Sequence, residues 1–183
     1  MSQDCEILPF DAGLYDSCAE LVDLACSLGL TVGTAESCTG GLVSGSLTAV
    51  PGSSSVVRGG ITSYAIPVKH EVLGVPYEGL LDAPGIGAVS SECARRMVEG
   101  ARIVLGCDVA VSVTGIAGPG GAEPGKPVGT VWMGLSTSRE TRTSVFHFAG
   151  DRADVRLEAV KAAVTLLREG VMELSAGNSC ADR

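Results

Sequence analysis

The residues best placed to do chemistry form one string, Thr34-Ala35-Glu36-Ser37-Cys38-Thr39-Gly40-Gly41, between a short β-like run and a helix of small residues. Paired glycines let backbone approach a ligand, and the amides and dipole of a following helix favour negative charge. A serine in that field can bind an anion, or act as a nucleophile whose alkoxide is partly stabilised. Capping of the helix by Ser37 and Thr39 is the plainer use of the same residues. Cys38 is a second nucleophile in principle, but no histidine neighbours it in sequence to form a thiolate pair, and it reads as packing.

A serine nucleophile needs a base. The chain holds only two histidines, His70 and His147, no Gly-x-Ser-x-Gly elbow, and no Ser-x-x-Lys pair at any of its lysines. A lysine kept neutral by burial can take the place of histidine. Of Lys69, Lys126 and Lys161, the last lies in a final helical segment and Lys126 in a glycine-rich loop. That leaves Lys69, five residues after Tyr64. A Tyr-x4-Lys spacing where a strand gives way to a helix can bring phenol and amine together, with the tyrosine relaying or orienting a proton. A surface lysine near a core tyrosine is the commoner meaning of that spacing.

The third candidate is Thr114-Gly115-Ile116-Ala117-Gly118-Pro119-Gly120-Gly121, which leaves an apolar run at its C-terminal end. Ligands of open α/β sheets sit outside the carboxyl ends of strands, so this loop is placed to wall a pocket. Gly120-x4-Gly125-Lys126 also has phosphate-loop spacing, but Pro127 stands where the loop needs Ser or Thr, and a strand follows where a helix is required. An NTPase is therefore rejected. Arg58 and Arg152, each at an element boundary, are candidates to meet a phosphate or carboxylate, with solvated charge or an ion pair as the alternative.

Periodicity supplies the elements that must carry these residues. Leu14, Cys18, Leu21, Val22, Ala25 and Leu28 recur at helical spacing, and Gly29 closes the helix. Strands are expected at Leu30–Ala35, Val56–Tyr64, Val109–Thr114, Thr130–Leu135 and Thr141–Phe148, the last two as a hairpin. Helices are expected after Gly41 to about Val50, over Val68–Leu73, after Ser90 or Ser91 with Cys93, Met97, Ala101, Val104 and Leu105 on one face, and after Asp151 with a stripe of Val160, Val164, Leu167 and Val171. Alternating strands and helices predict a single three-layer α/β/α domain with a mixed, mostly parallel sheet and a late antiparallel hairpin. The domain is placed at residues 14–174, between tails at 1–13 and 175–183.

The chain has 183 residues, is 45% hydrophobic and carries a net charge of −8. That is enough for one domain with a real core and too apolar for a disordered chain. The acidity and the 4% aromatic content argue against a nucleic-acid binder, which needs a basic surface and stacking platforms. Seven scattered cysteines without a C-x-x-C pair indicate neither a disulfide framework nor a zinc site, and no metal or cofactor is called for. Met1–Gly13 lacks the basic and apolar regions of a signal peptide, and no run approaches about 18 apolar residues, so a cytoplasmic protein with no membrane partner is expected.

Three segments together resemble the nicotinamide-nucleotide amidase family, also called the C-terminal domain family of the competence/damage-inducible protein CinA. They are the Thr34–Gly41 string, the Arg58-Gly59…Tyr64-x4-Lys69 stretch, and Thr114–Pro119 followed by Lys126-Pro127-Val128-Gly129-Thr130-Val131. The resemblance runs from about Leu14 to Leu174, and the 183 residues contain no counterpart of the family's separate N-terminal nucleotide-processing domain. It implies deamidation of nicotinamide mononucleotide to nicotinic acid mononucleotide and ammonia, without metal, by a serine, a tyrosine and a lysine, which carry over to Ser37, Tyr64 and Lys69. Thr114, Gly115, Ala117 and Gly118 match the segment lining the substrate site, and Gly150-Asp151-Arg152 matches a family motif. Glu36, Cys38, Thr39, Gly40 and Gly41 are read as substrate contacts, with backbone amides at Cys38–Gly41 for an oxyanion and Arg58 or Arg152 for the phosphate. A homo-oligomer is also expected. Many members have Asn two residues after the tyrosine, where this chain has Ile66 before Pro67, and that departure supports the alternative of a non-catalytic nucleotide-binding or regulatory module. A general Ser/Lys amidase or peptidase is a third reading.

Overall fold

The computed structural model describes residues 12–82 and 86–178. Helix α1 (Ala12–Leu28) buries Leu14, Cys18, Leu21, Val22 and Ala25, the stripe that its spacing predicts. It is followed by β1 (Val32–Glu36), α2 (Leu42–Thr48), β2 (Val57–Thr62), α3 (Ile66–Leu73), α4 (Ser91–Leu105), β3 (Val109–Gly115), the hairpin strands β4 (Thr130–Ser136) and β5 (Thr141–His147), and α5 (Arg152–Asn178). The sheet has the order β2-β1-β3-β4-β5. β2, β1 and β3 are parallel, β4 is antiparallel to β3, and β5 is antiparallel to β4. Four of the five strands therefore point one way, and the late hairpin supplies the single reversal.

Two cores sandwich this sheet. On one face α1, α2 and α5 pack Leu14, Leu21, Val43, Val160, Val164 and Leu167 onto Val32, Val109, Val111, Val113 and Met133. On the other, Cys93, Met97, Val98 and Ala101 of α4 meet Ala35 and Ala110 together with Leu73, Val75 and Leu80. β1 is buried at all five positions, and β3 at its first six. Both are central strands with helices on each side, which is why they read as continuous apolar runs rather than alternating ones.

Local details depart from the sequence reading in three places. Val104 is 55% exposed instead of lying in the α4 stripe, because the last turn packs only Leu105, which covers Gly33 and Gly59. Ala12 and Gly13 belong to α1, and α5 continues through residues 175–178, since Ser175-Ala176 holds no helix breaker. Residues 1–11 and 179–183, which make up the rest of the two expected tails, lie outside those described. Pro67 occupies the second position of α3, behind an extended N-cap at Ala65. No intrahelical bond is required of that N–H, so the proline starts the helix bearing Lys69 without disturbing it.

Helix α3 is held by close backbone approach. A Cβ at Gly100 of α4 would stand 2.0 Å from the Leu73 carbonyl oxygen and 2.8 Å from its carbon. Backbone cannot yield as a side-chain tip can, so Gly100→Ala is expected to push α3 outward, destabilise by about 1–3 kcal/mol and lower the melting temperature. A melt unchanged within a degree would show that the helices tolerate the separation.

Candidate active site

Ser37 follows directly on β1 and continues its pairing, its amide donating to the Val113 carbonyl at 2.8 Å. This fixes the serine at the carboxyl end of two central parallel strands. Beyond it Gly40 and Gly41 adopt φ of 66° and 95°, left-handed conformations that admit glycine readily. The turn they make brings α2 back over the sheet, so close that a Cβ on Gly60 would meet Ser44 at 2.5 Å.

What closes the turn is the Glu36 side chain, fully buried. Its Oε2 accepts from the Gly41 amide at 2.9 Å and the Val43 amide at 3.0 Å, while Oε1 accepts from the Ser44 amide at 2.9 Å and Thr34 Oγ1 at 3.1 Å. The capping residue is thus Glu36, not Ser37 or Thr39, and the carboxylate is spent on the helix rather than on a substrate. Ser37 is left free of capping duty. The Gly41 amide is occupied by Glu36 and the Gly40 amide by the Ser37 carbonyl, so of the four amides expected to serve an oxyanion only those of Cys38 and Thr39 have no carbonyl or carboxylate acceptor among the described residues.

Lys69 meets Ser37 from the opposite side. Its side chain is only 1% exposed, and Nζ lies 2.9 Å from Ser37 Oγ. Nζ also donates to the Ser63 carbonyl and, at 3.3 Å, to the Tyr64 carbonyl. A neutral amine has two N–H groups and one lone pair, so it can satisfy both carbonyls and still accept the serine proton. Burial pushes the lysine below its ordinary value, against a smaller opposing influence of Cys93 and Cys38. Those two thiols are themselves pushed up to about 11 by burial. They stay protonated at neutral pH and give the amine no fixed counter-charge. Cys38, 6% exposed, is packing.

The burial of the tyrosine and the lysine is the reverse of the commoner pattern. Tyr64 is 60% exposed, and its hydroxyl accepts from Arg152 Nη2 at 3.2 Å. Among the described residues no hydrogen bond joins the phenol to Ser37 or Lys69. Only the Tyr64 carbonyl touches the amine. Arg152 Nη1 donates to the Gly118 carbonyl at 2.9 Å, tying the loop after β3 to the start of α5. Beside it a cleft of about 620 Å³ is lined by Ala117, Pro119, Gly150, Asp151, Arg152 and Arg156.

Other sequence candidates find different uses. Thr114 is buried, and its hydroxyl donates to the Ala88 carbonyl at 2.6 Å, a structural bond. Gly115 is required for packing, since a Cβ there would stand 2.7 Å from the Thr130 carbonyl. Arg58 is not at the site. It is the extra residue of a bulge in β2, between Val57 opposite Val32 and Gly59 opposite Gly33. At roughly 3.3 Å per residue it lies about 13 Å back along the strand from Thr62, toward the amino ends of the sheet. The residue that sequence reasoning missed is Arg156, whose Nη2 donates to the Thr39 carbonyl at 3.0 Å. Its spacing of four from Arg152 was the available signal, because i and i+4 share a helix face.

This fold has counterparts among known proteins. A family model described as the CinA C-terminal domain matches residues 15–171, and the chain belongs to that family. A CinA-like protein of Geobacter metallireducens is 45% identical over 144 residues, 79% of this chain and 34% of that one. A CinA-like protein of Leptospira interrogans is 45% identical over 157 residues, 85% of this chain and 37% of its own length. The chain thus spans about a third of these relatives. Among solved structures, the competence/damage inducible protein CihA of Agrobacterium tumefaciens superposes with a TM-score of 0.84 at 36% identity, covering 90% of this chain and 99% of that one. The competence damage-inducible protein A (ComA) of Klebsiella pneumoniae gives 0.80 at 35%, covering 85% and 95%. No helix among the described residues is long and apolar enough to cross a membrane.

Proposed function

We propose that this domain is an amidohydrolase that deamidates nicotinamide mononucleotide to nicotinic acid mononucleotide and ammonia. The observation that carries the reading is the buried Lys69 amine 2.9 Å from Ser37 Oγ at the carboxyl end of the sheet. Lys69 takes the Ser37 proton as Oγ attacks the amide carbon, and the tetrahedral oxyanion is met by the Cys38 and Thr39 amides. The lysine then protonates departing ammonia, leaving an acyl-serine that water hydrolyses by the same route in reverse. Tyr64, held by Arg152, stands at the rim as a substrate contact or proton relay. The substrate phosphate is assigned to the α5 side of the cleft, with Arg152. Cytoplasmic location and self-association belong to the same proposal.

The test is ammonia release from nicotinamide mononucleotide by protein purified in chelator, with Ser37→Ala as control. Turnover by the wild type and none by Ser37→Ala is the expected result. Full activity in the variant would end the serine mechanism. Tight binding without turnover by the wild type would favour the non-catalytic module, but the reason for that alternative is weakened by the undisturbed fit of Pro67 in α3. Equal rates on simple amides would favour the general amidase.

A further inference from the structure

We infer that Arg156 recognises the phosphate of the substrate, together with Arg152 one helical turn before it. The identity of the substrate rests on the amidase reading above, whereas the anion site stands on its own geometry. Both arginines line the 620 Å³ cleft, and Arg156 also reaches the nucleophile turn at the Thr39 carbonyl. In a chain with 21 acidic residues, neither guanidinium has a carboxylate within ion-pair distance among the described residues. Each is instead held by neutral oxygens: Arg152 by Gly118 and Tyr64, Arg156 by Thr39. Their charges are left for a ligand.

A second, independent observation is that, among the described residues, Arg156 Nε is buried with no acceptor, and Thr39 Oγ1, on the residue it grips, is buried with no partner. A buried cationic donor without an acceptor is costly, and the two orphaned atoms belong to residues already joined by the bond from Arg156 to the Thr39 carbonyl. The acid that lines the same cleft, Asp151, is already committed, its Oδ1 accepting from the Ala153 and Asp154 amides. The competing anion site, the N-terminus of α2, is filled by Glu36. A phosphate monoester matches what the cleft offers: two charges to balance two guanidiniums, and oxygens to accept from the N–H groups of Arg152 and Arg156, the cationic side chains that line it.

The experiment is a calorimetric titration with inorganic phosphate of the wild type, Arg156→Gln and Arg156→Lys, each checked by thermal melting, beside steady-state rates on the mononucleotide and on its dephosphorylated nucleoside. Arg156→Gln is expected to weaken phosphate binding at least tenfold, and to lose most of the wild type's preference for the nucleotide through KM. Arg156→Lys, which keeps the charge but lacks the fork, should fall between the two and serves alone if the glutamine variant does not fold. Phosphate affinity within twofold of wild type in a folded variant overturns the inference. So does a wild type that does not bind phosphate, or a loss confined to kcat, since Arg156 would then serve only the nucleophile turn. Failure of the amidase reading would show separately, as absent ammonia release with the phosphate titration intact.

Discussion

Lys69→Met is expected to lower ammonia release by about 10²–10⁴-fold, the range of a lost general base, while the domain stays folded. The amine is the only base within hydrogen-bond reach of Ser37 Oγ among the described residues, and it reaches Oγ without an intermediary. A drop of that size together with only a small effect of Tyr64→Phe would assign the proton to the lysine. The reverse ranking would give it to the phenol. The pH dependence follows from the same burial. A lysine base must be neutral to accept a proton, so on the proposed mechanism kcat/KM should rise with pH to a plateau, with a midpoint below the ordinary lysine value of 10.5. Stability should follow the same sign. Between the lowered folded value and 10.5 the unfolded chain binds the proton and the folded one does not, so the wild type gains stability relative to Lys69→Met as pH rises through that window. A difference that stays flat with pH would mean the amine is charged in the folded protein.

Glu36→Ala is expected to be the most destabilising single change at the site. It leaves the amides of Gly41, Val43 and Ser44 and the Thr34 hydroxyl without their acceptor in a buried place. Two or three such donors cost on the order of 4 kcal/mol, or about 8–16 °C in melting temperature for a domain of this size. Glu36→Gln keeps one acceptor oxygen but turns an NH₂ toward amides that also donate, so it should fall between. Thermal melting of the three proteins ranks them. An alanine variant that melts within about 2 °C of wild type would refute the cap.

Much of this site could be read from residue types alone. Scarcity did the work for Lys69: with three lysines and two histidines, only one cation stood where a base was needed. Ser37 followed from the polar turn with its two glycines. The helical and apolar patterns gave all five strands and the late hairpin, because burial on one or both faces leaves a period in the sequence. Other assignments depended on distances that no pattern encodes. Glu36 reads as a substrate contact along with the rest of its string, and only the fold of Gly40 and Gly41 sends it into the end of α2. Thr114 and Arg58 failed for the same reason: the partner of the first, Ala88, is 26 residues away, and the bulge at the second is a matter of register. Tyr64 was expected to work beside Lys69, yet its phenol turns outward to Arg152, 88 residues on. Arg156 was one arginine among ten, distinguishable only by its turn-spacing from Arg152.

On the amidase reading, the Glu36 carboxylate locked beneath the nucleophile also bears on which side of the deamidation the pocket prefers. An uncharged amide can settle over Ser37 without feeling Glu36 strongly. Hydrolysis of the acyl-serine replaces it with an acid that ionises beside a negative group held in a medium of low polarity, where like charges repel over a longer range than in water. With Lys69 returned to its neutral form, the cations left beside the turn are Arg152 and Arg156, and those are assigned to the phosphate. The same side chain that holds the turn together would therefore expel the acid once it forms, drawing the reaction forward and keeping the protein from being clogged by what it makes.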